Sequence, residues 1–133
     1  MENWILSANP NYFDHAGAFR ECGFIDWKQT RNYAIGDVVY VYVTKPFSRI
    51  RYKTEVVCTG LTVDETCDFS KFWVVSQPNH DTKSKFVRLK LLQEYEDDRL
   101  SLESLKDHGL EYPPQGPCRV KGDLLKHVKE VEG

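Results

Sequence analysis

The run Val38-Val-Tyr-Val-Tyr-Val43 is the feature that most restricts what this chain can fold into. Valine and tyrosine both favour strands, and their alternation gives a strand with two useful faces. A Gly36-Asp37 turn precedes the run, and a Thr44-Lys-Pro46 segment ends it. The sequence therefore predicts a buried strand with defined turns at both ends, which needs a sheet around it.

The rest of the pattern predicts one α+β domain over residues 1–133. With 41% hydrophobic and 29% charged residues, the chain has the composition of a globular protein. At this length it can bury a hydrophobic core without the support of disulfide bonds or metal ions. An early helix, about five or six strands and two late helices indicate a curved sheet or small barrel with peripheral helices. We expect strands at residues 4–8, 38–43, 50–58, 71–75 and 86–92, a polar loop at 26–30, and helices at 15–22, 102–108 and 122–131.

The net charge of the chain limits how it can bind a nucleic acid. Eighteen basic and twenty acidic side chains give a net charge of -2, whereas proteins that grip phosphates non-specifically are usually basic. Any such role must rest on a local patch or a pocket. Lys45, Arg49, Arg51 and Lys53 fall within nine residues that contain no acid. They are candidate phosphate-binding residues, and a solvated strand face is the alternative.

The four cysteines favour a cytoplasmic protein with reduced thiols and no metal or other cofactor. Cys22, Cys58, Cys67 and Cys118 show no CxxC spacing, which zinc sites usually have. There is no signal peptide and no long apolar run, so no membrane partner is expected. Cys22 follows His15 by seven residues. The two could form a catalytic dyad, or His15 could simply face solvent or bond the adjacent loop.

A set of aromatic and uncharged polar residues is stronger evidence for function than the His15–Cys22 pair. Trp27 stands in a polar stretch, and a tryptophan there needs either a core to fill or a flat ligand to stack on. A flipped-out base needs a stacking face and amide or hydroxyl groups for its edge. The candidate base-binding residues are Ser7, Asn9, Trp27, Lys28, Thr44, Pro46, Trp73 and Gln115.

Several of these aromatic and polar residues also have a structural alternative. Trp27 could fill space in the core, with its indole N–H donating a hydrogen bond to a backbone carbonyl. Trp4 opens a buried strand and favours a core role, whereas Trp73 is either half core or a second cage wall. Ser7 and Asn9 could satisfy the turn that follows them. The sequence leaves these alternatives open.

At these residues the chain resembles the EVE domain family of the PUA-like superfamily, which also contains YTH and ASCH domains. The resemblance covers nearly the whole chain, and its order is more specific than any single piece. Many relatives have glycine where this chain has Arg51 or Tyr52, so the strand there is expected to pack differently. The residues that carry the resemblance are 4–10, 25–27, 35–42, Thr44, Pro46, 50–52 and 115–117.

The resemblance implies a PUA-like pseudobarrel with a pocket for a modified base, such as methylated or hydroxymethylated cytosine or methyladenine. Trp27 occupies the position expected of a cage aromatic, Ser7 and Asn9 match the pocket-lining positions, and Thr44 and Pro46 match the rim. The expected function is a non-catalytic bacterial reader of modified DNA or RNA. Since no nuclease or NTPase domain accompanies it, cleavage would need a separate nuclease or restriction component.

Two other classes of function remain open. An ASCH-like ribonuclease or modified-nucleoside hydrolase would need acid–base groups, for which Lys28, Tyr42 and Arg51 are candidates. An RNA-binding accessory module would recognise shape without a base pocket, through the basic run at residues 45–53.

Overall fold

A computed structural model describes residues 1–77 and 83–132. Within them, six strands form one mixed sheet in the order β2-β5-β4-β3-β1-β6. Only β1 and β3 pair in parallel, and every other neighbouring pair is antiparallel. The strands are β1 (Asn3–Ala8), β2 (Phe24–Lys28), β3 (Val38–Val43), β4 (Arg49–Leu61), β5 (Phe86–Glu94) and β6 (Cys118–Arg119); the α-helices are α1 (His15–Cys22), α2 (Leu102–Lys106) and α3 (Gly122–Glu132).

Both faces of β3 are buried, as its Val-Tyr alternation predicts. Val39, Val41 and Val43 pack into one hydrophobic cluster together with residues of α1. Tyr40 and Tyr42 pack into a second cluster together with residues of α2 and α3. The sheet therefore has a core on each side, with helices covering both.

A bulge in β4 changes which cluster its side chains join. Val41 pairs with Tyr52, but Tyr42 pairs with Ile50, so Arg51 is the extra residue. Tyr52 consequently lies in the same cluster as Val41, whereas Ile50 lies in the same cluster as Tyr42. The alternation predicted Ile50 and Tyr52 on one face, and the bulge makes that prediction wrong.

The Asp37 turn anchors the amino-terminal end of the sheet. The buried carboxylate accepts hydrogen bonds from the Glu2 N–H at 2.9 Å and from the Trp4 Nε1–H and the Ala34 N–H, both at 3.0 Å. Burial raises the pKa of Asp37, but these hydrogen bonds outweigh burial, so the pKa lies below its ordinary value. Trp4 is accordingly a core residue.

α1 has the boundaries that the sequence predicts. The Asp14 side chain caps it by accepting from the Gly17 N–H at 3.0 Å. Gly23 ends it with φ of 77°, a left-handed conformation that favours glycine.

Two predicted segments differ in the structure. Residues 24–28 form β2, where a polar loop was expected from residue 26, because Asp26 and Lys28 pair with β5 residues. The prediction of a strand at 71–75 is wrong. A short 3-10 helix spans Ser70–Phe72, and Trp73 makes only an isolated β-bridge to Phe13. Val74 and Val75 are exposed, so the apolar run does not mark a buried strand.

The last helix is held to the sheet by one carboxylate. Glu132 Oε1 accepts from the Tyr40 hydroxyl at 2.7 Å and from the Tyr95 hydroxyl at 2.9 Å. Glu132 Oε2 lies 3.2 Å from Lys53 Nζ. No helix in the described residues has the length and apolar character needed to cross a membrane.

Candidate functional site

An aromatic cavity of about 250 Å³ lies beside β2. The turn after β1 supplies one wall, β2 and the start of β5 supply another, and the segment after the 3-10 helix at Ser70–Phe72 supplies a third. Its lining residues are Asn9, Tyr12, Phe13, His15, Ile25, Asp26, Trp27, Lys28, Trp73 and Phe86.

Trp27 is half-buried between the core and this cavity. Its strand neighbour Ile25, two residues away and on the same face, is buried. The intervening Asp26 accepts from Arg88 Nε at 2.7 Å and Nη2 at 3.1 Å, and from the Cys67 N–H at 2.9 Å. The hydrogen bonds that Arg88 donates to the Asp26 carboxylate raise the pKa of Arg88. This cross-strand pair fixes β2 on β5, and thereby fixes where Trp27 stands.

His15 joins the two aromatic walls. Its ring centroid lies 5.6 Å from that of Trp27 and 5.0 Å from that of Phe13. Phe13 in turn contacts Trp73 edge-on, with 5.1 Å between centroids. The four rings form a continuous aromatic lining, which suits a flat, uncharged ligand.

His15 is neutral in this setting. Only 4% of its surface is exposed, and burial lowers its pKa to about 4 although Asp14 acts to raise it. Among the described residues its Nδ1 has no hydrogen-bond partner. The fold therefore leaves one buried ring nitrogen of His15 without a partner beside the cavity.

The expectation that His15 faces solvent is wrong, and its Nδ1 makes no hydrogen bond to the adjacent loop within the described residues. The signal available was its spacing: His15, Ala18 and Phe19 stand at i, i+3 and i+4 on α1, and all three are buried. Cys22 is exposed at the far end of α1, about 10 Å along the axis. The helix therefore separates the two members of the suggested dyad.

The structure brings four of the expected base-binding residues to the cavity: Asn9, Trp27, Lys28 and Trp73. Asn9 also shapes the turn, because its Oδ1 accepts from the Asn11 N–H at 2.9 Å. Tyr12 and Phe13, which follow in that turn, were missed because a turn tyrosine or phenylalanine carries no distinguishing pattern.

The other four lie elsewhere. The Ser7 hydroxyl donates to the Pro114 carbonyl at 2.8 Å. Thr44 starts the turn after β3, where its carbonyl accepts from the Phe47 N–H at 3.1 Å. Pro46 lines a separate cavity, and Gln115 lines another. The cavity at β2 therefore does not include these four.

The basic run faces carboxylates that come from distant parts of the chain. Arg49 Nη1 lies 2.9 Å from Asp98, Arg51 Nη2 lies 3.3 Å from Glu94, and Lys53 Nζ lies 3.2 Å from Glu132. Lys45 is exposed. A phosphate would have to displace these acids from three of the four cations.

The candidate acid–base groups do not converge. Tyr42 is buried, and burial raises its pKa. Arg51 is paired with Glu94, and only Lys28 lines the aromatic cavity. Within residues 1–77 and 83–132, no three His, Cys, Asp or Glu side chains are grouped so that they could hold a metal ion.

Solved structures with the same fold include an ASCH protein. A single-substitution variant of ASCH from Zymomonas mobilis matches with a TM-score of 0.67 and 13% identity, over 98% of this chain and 96% of that one. Rpa0253 from Rhodopseudomonas palustris matches with a TM-score of 0.67 and 13% identity, over 98% and 92%. A hypothetical protein from Leishmania major matches with a TM-score of 0.65 and 18% identity, over 98% and 94%.

No family model matches the chain, and no curated protein matches it by sequence. At these identities the likeness concerns the fold. The mixed six-stranded sheet with its three α-helices is an α+β, PUA-like pseudobarrel, which confirms the expected fold class. The resemblance to EVE domains stays a prediction.

Proposed function

We propose that the protein binds one flat nucleobase of an RNA or DNA strand in the aromatic cavity at β2. The observation that carries this proposal is the continuous lining of Trp27, His15, Phe13 and Trp73. Base–aromatic stacking contributes about 1–3 kcal/mol per base. The Asn9 side chain would meet the polar edge of the base.

The size of the cavity supports a single base. Its volume of about 250 Å³ is below the range of roughly 300–1,000 Å³ that holds drug-sized ligands. A dinucleotide cofactor would not fit, whereas one planar ring system would. A base inside a duplex or a stacked strand must therefore be flipped out to enter.

The charges support a pocket-based mode of binding over a phosphate-based one. The net charge is -2, and Arg49, Arg51 and Lys53 face carboxylates. Lys28 and Lys45 are exposed and would contact phosphates. Two such contacts give a slope of log affinity against log salt of about -1.4 for a single strand.

A methylated base is the favoured form of the ligand. A methyl group that meets an aromatic wall gains about 0.8 kcal/mol, which corresponds to about fourfold in affinity. The proposal leaves any cleavage of the strand to a separate nuclease or restriction component.

The test is a binding panel of short single-stranded oligonucleotides that carry plain or methylated cytosine or adenine. Wild type is compared with Trp27→Leu, which keeps an apolar side chain without a stacking face, and with Trp27→Phe, which keeps a face. We expect the leucine variant to lose about 1–3 kcal/mol of binding free energy, and the phenylalanine variant to lose less.

Tyr112→Ala is the matched control, because Tyr112 is an exposed aromatic residue beside Gln115, away from the β2 cavity. It should bind like wild type. If Tyr112→Ala loses affinity while Trp27→Leu does not, the base binds near Gln115 and the proposal is wrong. Equal affinity for methylated and plain strands would refute the preference for a methylated base.

A hydrolase or ribonuclease of the ASCH type is the second candidate, since Lys28 lies at the aromatic cavity. Incubation of the protein with RNA and with modified nucleosides, followed by product analysis, tests it. Product that forms with wild type and not with Lys28→Met would favour the enzyme over the reader. A shape-recognising RNA-binding module would instead depend on residues 45–53, where three of the cations are paired.

A further inference from the structure

A second cavity adjoins the aromatic one. Its volume is about 230 Å³, and it shares Phe13 and His15 with the first cavity. The two spaces therefore lie next to each other, with Phe13 and His15 at their common boundary. The residues that line only the second cavity include Asp14, Val43, Phe47, Arg51 and Tyr52.

Arg51 gives the second cavity a charged hydrogen-bond donor that could bind a ligand. It is the extra residue of the β4 bulge, and bulges often re-aim a side chain toward a functional site. Its side chain is only 11% exposed. Its Cζ lies 4.3 Å from the centroid of the Phe47 ring and 5.4 Å from that of the Tyr52 ring.

The acids that pair with Arg51 are free to move. Nη2 lies 3.3 Å from Glu94 and 3.9 Å from Glu96, and these carboxylate side chains are 50% and 83% exposed. Because both carboxylates are at least half exposed, solvent competes for them and weakens these ion pairs. A ligand can therefore compete for the guanidinium while the aromatic rings keep it in place.

The charges that face the second cavity decide which chemical group it fits. Arg51 offers N–H donors, whereas Asp14 offers carboxylate oxygens, one of which also accepts from the Gly17 N–H. A phosphate would meet the Asp14 carboxylate as well as Arg51. A base edge that carries acceptors and donors satisfies both side chains.

We propose that the second cavity takes the base next to the one held in the aromatic cavity, and that guanine is preferred there. Arg51 would donate to guanine O6 and N7, the commonest specific contact of arginine with a base. Asp14 would accept from the guanine N1–H and N2–H groups. His15 and Phe13 would then lie between two splayed bases. This inference rests on the proposed function.

The test uses the full chain and the oligonucleotide base that binds best in the panel above. Guanine, inosine, 7-deazaguanine or adenine is placed beside that base, on the 5′ or the 3′ side. We expect guanine on one side to bind about fivefold to 150-fold more tightly than adenine, the discrimination that a good arginine–guanine contact gives. Inosine lacks the 2-amino group and 7-deazaguanine lacks N7, so both should lose part of this gain.

Arg51→Met keeps the length of the side chain and removes the donors. It should bind guanine and 7-deazaguanine equally, because the contact with N7 is lost, and it should keep only the smaller preference for guanine over inosine and adenine that Asp14 gives. Arg49→Met is the matched control, because Arg49 is also paired with an acid but does not line the second cavity. It should retain the preference for guanine.

The outcomes separate the two proposals. If wild type binds the panel and Trp27→Leu weakens it, but the neighbouring base has no effect, the second cavity is not a base site and the proposed function stands. If Arg51→Met weakens every oligonucleotide equally, Arg51 holds a phosphate and the preference for guanine is wrong. If no oligonucleotide in the panel binds, the proposed function fails, and this inference fails with it.

Discussion

Burial of His15 should make the protein lose stability in mild acid. Its pKa is lowered from 6.5 to about 4, so between these pH values the unfolded chain binds a proton that the folded protein excludes. Folding therefore loses free energy as the pH falls through this window, and it keeps the full contribution above pH 6.5. Each pH unit costs about 1.4 kcal/mol. The total is about 3 kcal/mol at pH 4.

The measurement is urea unfolding from neutral pH to pH 4 for wild type and for His15→Leu, which is similar in volume and cannot titrate. Carboxylates also titrate in this range, so the quantity of interest is the difference between the two proteins. Wild type should lose about 3 kcal/mol more than the variant. Tyr112→Ala, an exposed position that does not line the aromatic cavity, should follow wild type. Parallel curves for wild type and His15→Leu would refute the burial of a neutral imidazole.

Three further predictions concern single anchors of the fold, all measured by urea unfolding. Asp37→Asn places an amide NH₂ where the carboxylate accepts from N–H donors, and should cost about 1.5–3 kcal/mol; unchanged stability would contradict the role of this turn. Glu132→Ala strands two tyrosine hydroxyls and should cost more than Glu132→Gln, which retains an acceptor; equal costs would show that only the charge matters. Gly23→Ala at φ of 77° should cost about 1–2 kcal/mol, whereas no loss would mean that the helix end rearranges.

The sequence predicted those parts of the fold that local chemistry decides. The strand at Val38–Val43 follows from β-propensity, and the limits of α1 follow from the Asp14 cap and the left-handed Gly23. β2 was missed because its polar residues are stabilised by a partner far along the chain, as Asp26 is by Arg88. Pattern reasoning cannot see such a partner.

The candidate site could be predicted only in part, because it too depends on contacts between distant parts of the chain. Trp27 and Trp73 could be chosen by residue type, but whether either lines a cavity depends on how β2 packs against α1. The sequence suggested that the cations at residues 45–53 are unpaired, because their acidic partners lie far along the chain. The partner of Arg49 is 49 residues away, and the partner of Lys53 is 79 residues away. His15 was misjudged because the sequence shows its spacing but not what covers it.

The place of β1 within the sheet has a consequence for synthesis of the chain. β1 lies between β3 and β6, and its second neighbour begins at Cys118. At roughly 5–20 residues per second, a ribosome takes on the order of 5–20 s to make the intervening chain. During that interval Trp4 and Ile5 have no strand to pair with on the β6 side, and Ile5 lacks Val120 from its hydrophobic cluster. The nascent chain therefore carries an unpaired strand edge at β1 until β6 has been made, and such an edge can pair with another chain.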